Sequence, residues 1–172
     1  MFAIKVASQQ LLNQEMIRMN QEMLKLKREV HNHCVTEVNA RIESLNASLR
    51  AFQDAANEET KSSAGDKYET GRAMMHLEKE KVAHSLNEVL KQKKVLDLLK
   101  PEKVTSQAKL GSLLKTNKGL FYISISLGQI RVSGEMIFCI SPVSPLGQVM
   151  IGATPSTSVV FNKMQYEILE LV

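Results

Sequence analysis

Apolar residues recur at Val35, Val38, Ile42, Leu45, Leu49 and Phe52, a 3-4-3-4-3 rhythm. Spacing that averages 3.5 residues is the seam of two helices wound around each other, and it commits this stretch to a long amphipathic helix. Met16, Met19, Met23, Leu26 and Val30 keep the same rhythm upstream, with a phase slip between Val30 and Val35 that predicts a stutter or a break. Tyr68, Met75, Val82, Leu86, Val89, Leu96 and Leu99 form a second seam, interrupted by Lys79 and Lys93. Two such helices joined by a short polar segment predict an antiparallel coiled-coil hairpin over 23–100 with its tip near 58–67. At about 1.5 Å per residue the arm reaches on the order of 50 Å. Residues 1–22 either extend the first helix or are a start-site artefact, with Met23 as the true start.

Pro101 ends the second helix, because it lacks a donor and clashes with the preceding turn. Beyond it the period changes to two. Phe121, Ile123, Ile125 and Leu127 alternate with Tyr122, Ser124 and Ser126, which predicts a half-buried strand. Two short strands are expected around Ser133-Gly134, and a closing hairpin turning near Asn162-Lys163. SPVSPLGQ, punctuated by Pro142, Pro145 and Gly147, reads as a loop, and 110–115 as a strand or helical turn. The fold class is therefore α+β: a helical hairpin followed by a small β-rich domain over 104–172. So small a core should lean on the base of the hairpin.

Composition narrows the function. No apolar run approaches the roughly 20 residues that span a bilayer, and the first residues lack the pattern of a secretory signal. A cytoplasmic protein with no membrane partner is expected. Cys34 and Cys139 are too few and too distant in sequence for a disulfide framework or a zinc motif, and are read as free thiols. The net charge of +4 is spread without the basic stripe and stacking aromatics that single-stranded nucleic acid needs.

Catalytic motifs are scarce. His31, His33 and Cys34 stand together in VHNHC, but on a helix only His31 and Cys34 share a face, so they read as helix-surface residues rather than a metal site. Ser112 and Lys115 match S-x-x-K without its companion motifs. TNKG lacks the glycine spacing of a phosphate loop. A stand-alone enzyme is not expected. An isomerase pocket lined by Phe121, Tyr122, Phe138, Phe161 and Tyr166 is disfavoured, since most of these positions face the core.

Acids gather instead at the hairpin tip. Residues 54–80 carry seven Asp or Glu against four Lys or Arg. Asp66 and Glu69 have the spacing of a helix-capping box. Glu58 and Glu59 near a helix C-terminus face an unfavourable dipole, so folding accounts for them less well. Carboxylates are hard oxygen ligands suited to Mg2+ as a partial set.

The ending SPLGQVMIGATPSTSVVFNKMQYEILELV resembles the Gre family of bacterial transcription elongation factors (GreA/GreB), whose pattern is S-P-[IL]-G-x-x-[LM]-[IL]-G followed by a strand pair ending in Y-x-I. Ser144, Pro145, Leu146 and Gly147, then Met150, Ile151 and Gly152, then Tyr166 and Ile168 match it. The resemblance covers roughly residues 31–172. It implies an FKBP-like C-terminal domain that docks on RNA polymerase through the Ser144–Gly147 loop. It also implies a coiled coil that enters the secondary channel, where two tip acids help hold the polymerase's Mg2+ so that backtracked RNA is cleaved. The factor would have no metal or cofactor of its own, would act as a monomer and would meet nascent RNA only indirectly. The tip departs from the family. Counted back from Tyr68, the acids of D-x-x-E-N-A-E-Y fall on Lys61 and Ala64, leaving Glu58, Glu59, Asp66 and Glu69 as candidates. The alternatives are a channel occupant that inhibits without cleavage, or a helical hairpin that binds other proteins outside transcription.

Overall fold

A computed structural model describes the backbone of residues 2–59 and 68–172, with side chains for 14–56, 71 and 73–172. Helix α1 (Phe2–Glu59) runs for 58 residues, about 87 Å at the α-helical rise, and helix α2 (Tyr68–Asp97) for 30. Strands β1 (Leu113–Thr116), β2 (Gly119–Ile123), β3 (Gly128–Val132) and β4 (Glu135–Ile140) follow. The short helix α3 (Pro145–Met150) and strands β5 (Ser158–Phe161) and β6 (Met164–Leu171) complete the α+β chain. The chain divides into two compact units, residues 35–97 and residues 1–34 with 98–172.

In the helical unit the heptad positions Ile42, Leu45, Leu49 and Phe52 of α1 are half-buried, as are Met75, Val82, Leu86 and Val89 of α2. Lys79, which interrupts the second seam, sends its ammonium 2.9 Å to Oε1 of Gln53 and so contributes a hydrogen bond where an apolar contact is missing. Lys93 turns to Asp97 at 2.9 Å. No break follows Val30: the helix is continuous through the phase slip. The slip coincides with the boundary of the two units, so it marks where the helix exchanges one set of neighbours for another.

The other unit is a six-stranded mixed sheet in the order β3-β4-β2-β1-β6-β5. The β2–β4 pair is parallel and every other pair antiparallel. Alternation sorts the side chains onto two faces. Leu114, Phe121, Ile123 and Ile168 gather with Met150, Ala153 and Tyr166 in one core, against which Phe138 and Leu146 also pack. Phe121 stacks on Phe138 with centroids 5.2 Å apart and meets Tyr166 edge-on at 5.8 Å. Leu113, Tyr122, Ile137 and Cys139 point to the other face and are also buried. β2 is therefore covered on both sides, not half-buried as its alternation predicts, because the first part of α1 lies over the second face: His31 reaches Tyr122, and Cys34 reaches Cys139. Sealing Met23 and Val30 into this layer stabilises it by roughly 1.5–3 kcal/mol each.

Both expected hairpins form. Ser133 and Gly134 have φ of 52° and 86°, and Asn162 and Lys163 have φ of 48° and 65°. These are two-residue turns whose twist matches the flanking strands. Lys163 bears a side chain in a left-handed conformation that glycine adopts freely, so Lys163→Gly should raise unfolding stability by about 0.5–1 kcal/mol, measured by urea titration. At Leu169 the β6 register skips a residue: Lys115 pairs with Glu170 and Thr116 with Ile168. This bulge places Leu171, rather than Glu170, in the core.

Candidate functional site

The segment Ser141–Gly152 does not form the loop its prolines suggest. Ser144 caps a helical turn, its Oγ accepting from the Gly147 amide at 3.1 Å and donating to the Ser141 carbonyl at 2.7 Å. Pro145 occupies the first turn, where a missing N–H costs nothing. Gly147 is buried, and a Cβ built on it would lie 2.0 Å from the Ser141 carbonyl oxygen, so only glycine fits. Around this rigid turn Val143, Pro145, Val149 and Ile151 are exposed, Val143 to 76%. Leu146 and Met150 point back into the core. The four residues Ser144, Pro145, Leu146 and Gly147 thus divide their labour: cap, surface, anchor and close backbone contact.

Of the four candidate acids, Glu58 and Glu59 are the last two residues of α1, and Glu69 is the second residue of α2. Asp66 and the capping box proposed for it lie outside the described residues, as do the Lys61 and Ala64 positions of the family pattern. Among the described residues no three His, Cys, Asp or Glu side chains come together as a metal-holding group.

VHNHC is the largest correction to the surface reading. Cys34 is fully buried and His31 nearly so. His31 Nδ1 and Tyr122 Oη are hydrogen-bonded at 3.1 Å, and the Cys34 and Cys139 sulfurs lie 3.6 Å apart although 105 residues separate them. The two form no disulfide. The hydrogen bond with Cys34, reinforced by burial, holds the Cys139 thiol above its ordinary range, so Cys139 is poorly poised as a nucleophile. Burial, with the neighbouring cysteines, likewise pushes the Tyr122 phenol up. Ser112 is also structural: buried, its Oγ accepts from the Lys109 amide at 3.2 Å and lies 3.0 Å from Thr105 Oγ1. Lys115 pairs with Glu170 at 2.6 Å instead of with Ser112.

Two clefts flank α1 in this unit. One, of 370 Å3, is lined by Met19, Leu26, Leu120, Glu22, Glu135 and the Lys115–Glu170 pair. The other, of 260 Å3, gathers Lys27, Lys100, Lys103 and Lys109 around Leu99 and Gly111. Sequence reading missed Lys27 as an inward residue; its place four residues after Met23 and seven before Cys34, on the buried stripe, was the available signal.

No protein-family model matches the chain, and neither does any curated protein or solved structure. No helix among the described residues is long and apolar enough to cross a membrane.

Proposed function

We propose that this chain is a Gre-like regulator of transcription elongation, which docks on RNA polymerase through the Ser144–Gly147 turn and inserts a coiled-coil tip into the secondary channel. The observation that carries the reading is the turn itself. Its four motif residues build a capped knob whose backbone is held by the Gly147 contact and whose rim of Val143, Pro145, Val149 and Ile151 is apolar and exposed. An exposed apolar rim on a rigid support is what a protein partner recognises. The half-buried heptad positions and the Lys79–Gln53 bond support an antiparallel coiled-coil hairpin in 35–97. The resemblance supports an FKBP-like architecture for the sheet unit. In this reading Glu58, Glu59, Asp66 and Glu69 are carried to the polymerase's catalytic Mg2+, and the factor contributes no catalytic set of its own.

RNA cleavage in a purified backtracked elongation complex, with and without the protein, tests the proposal. Acceleration would show that the displaced acids replace the family pair. Competition with a Gre factor without acceleration would make the chain an inhibitory channel occupant. Neither effect would overturn the polymerase reading and leave an interaction hairpin. Pro145→Asp places a charge on the apolar rim and should weaken polymerase binding about tenfold or more, as removal of an interface anchor does; unchanged affinity would remove the docking role of the turn.

A further inference from the structure

The lysine-lined cleft has a feature the proposed function leaves unused. Lys27 projects from α1 and is 1% exposed, yet its ammonium has a single hydrogen bond, to the Lys103 carbonyl at 2.6 Å. An ammonium carries three donors. Among the described residues, Lys27, Lys100, Lys103 and Lys109 form no ion pair; the six ion pairs present all lie elsewhere. Buried charges are ordinarily paired, because an unpaired one is costly to desolvate. Here burial and the like charge of Lys109 act together on Lys27, and only Glu102 opposes them. With a pKa of about 8, Lys27 is still mostly protonated at neutral pH. The cleft is thus a concentrated positive field with donors to spare and no carboxylate of its own at contact distance.

We propose that this cleft binds a phosphate group, with Lys27 at its floor and Lys100, Lys103 and Lys109 around it. The unused donors of Lys27 would meet phosphate oxygens from inside, while the three outer ammonium groups supply the charge that a phosphate dianion needs. At 260 Å3 the cleft falls below the roughly 300–1,000 Å3 typical of drug-sized ligands, so a small anion or small monoester suits it. Leu99 and Leu110 supply an apolar wall for the organic part of an ester. The proposal concerns the isolated chain and stands apart from polymerase binding.

Calorimetric titration with inorganic phosphate, against chloride at matched ionic strength, is the test. Saturable binding is expected. Lys109→Gln alters an exposed side chain and should weaken it about tenfold or more, the effect of removing one charge-assisted hydrogen bond. Lys27→Met should abolish it. Lys118→Gln, in the β1–β2 turn and outside the cleft, should leave it unchanged. Tighter binding of glycerol 3-phosphate than of phosphate would identify a monoester as the ligand, and equal binding free phosphate; both support the site. Absence of saturable binding, or equal weakening by Lys118→Gln and Lys109→Gln, would overturn the proposal.

Discussion

Gly147→Ala should destabilise the protein by about 3 kcal/mol or more, at the upper end of the cost of overpacking a core. The added methyl would lie 2.0 Å from the Ser141 carbonyl oxygen and 3.0 Å from Ser144 Oγ. The first of these neighbours is backbone and cannot rotate away. It also accepts the Ser144 hydroxyl and the Ser144 amide, so moving it breaks the cap. Loss of the cap alone, by Ser144→Ala, should cost only about 1 kcal/mol. Urea denaturation distinguishes the two. If Gly147→Ala matched Ser144→Ala, the close backbone contact would not be limiting. Val149→Ala on the exposed rim should change stability by less than about 0.5 kcal/mol. The rim and its support can therefore be varied independently.

The second large effect is a dependence on pH. Lys27 has a folded pKa of about 8 against an ordinary 10.5, burial being the main cause. Between those values the unfolded chain holds a proton that the folded chain has shed, so stability rises as pH rises through the window and the penalty is complete below about 8. The full difference corresponds to about 3 kcal/mol. Cys139 and Tyr122 act in the opposite sense. Their folded pKa values are raised, so the stability they contribute is lost as pH climbs above their ordinary values. These contributions cancel when wild type is compared with Lys27→Met. Between pH 7.5 and 10.5 the wild type should gain about 3 kcal/mol relative to the variant in parallel denaturant titrations. Parallel profiles would show that Lys27 is solvated in the folded chain.

How far the residues announced the structure depends on how local each signal is. Ser133-Gly134 and Asn162-Lys163 sit between strand-patterned runs, and turn chemistry located both hairpins. The α3 helix was missed because Pro145 and Gly147 read as breakers. The order Ser-Pro is nonetheless an N-cap followed by a first-turn proline, and Gly147 answers a close approach that no local pattern reveals. The inward face of α1 was obscured by polar letters. Met23, Lys27, Val30, His31 and Cys34 form one stripe, but Lys and His normally denote solvent, and their partners lie 76 and 91 residues away. The bulge at Leu169 was likewise invisible, since a phase shift by one residue in MQYEILEL looks like ordinary variation. The Ser144–Gly147 segment was legible as a motif, although its geometry was not. The acids of residues 54–80 were legible as a charge cluster, and part of that cluster falls outside the described residues.

The joining of α1 to the sheet has a consequence for biosynthesis. Glu29 is bound to Ser133 at a separation of 104 residues, and Cys34 meets Cys139 at 105. A ribosome adding about 5–20 residues per second needs on the order of 5–20 s to make the sheet after the helix emerges. Throughout that interval the Met23–Cys34 stripe has no cover from its own chain, and the last strand to be made, β6, must insert beside β1 before the sheet is closed. The nascent chain therefore carries the uncovered inward stripe of α1 for seconds, an interval in which aggregation competes with folding.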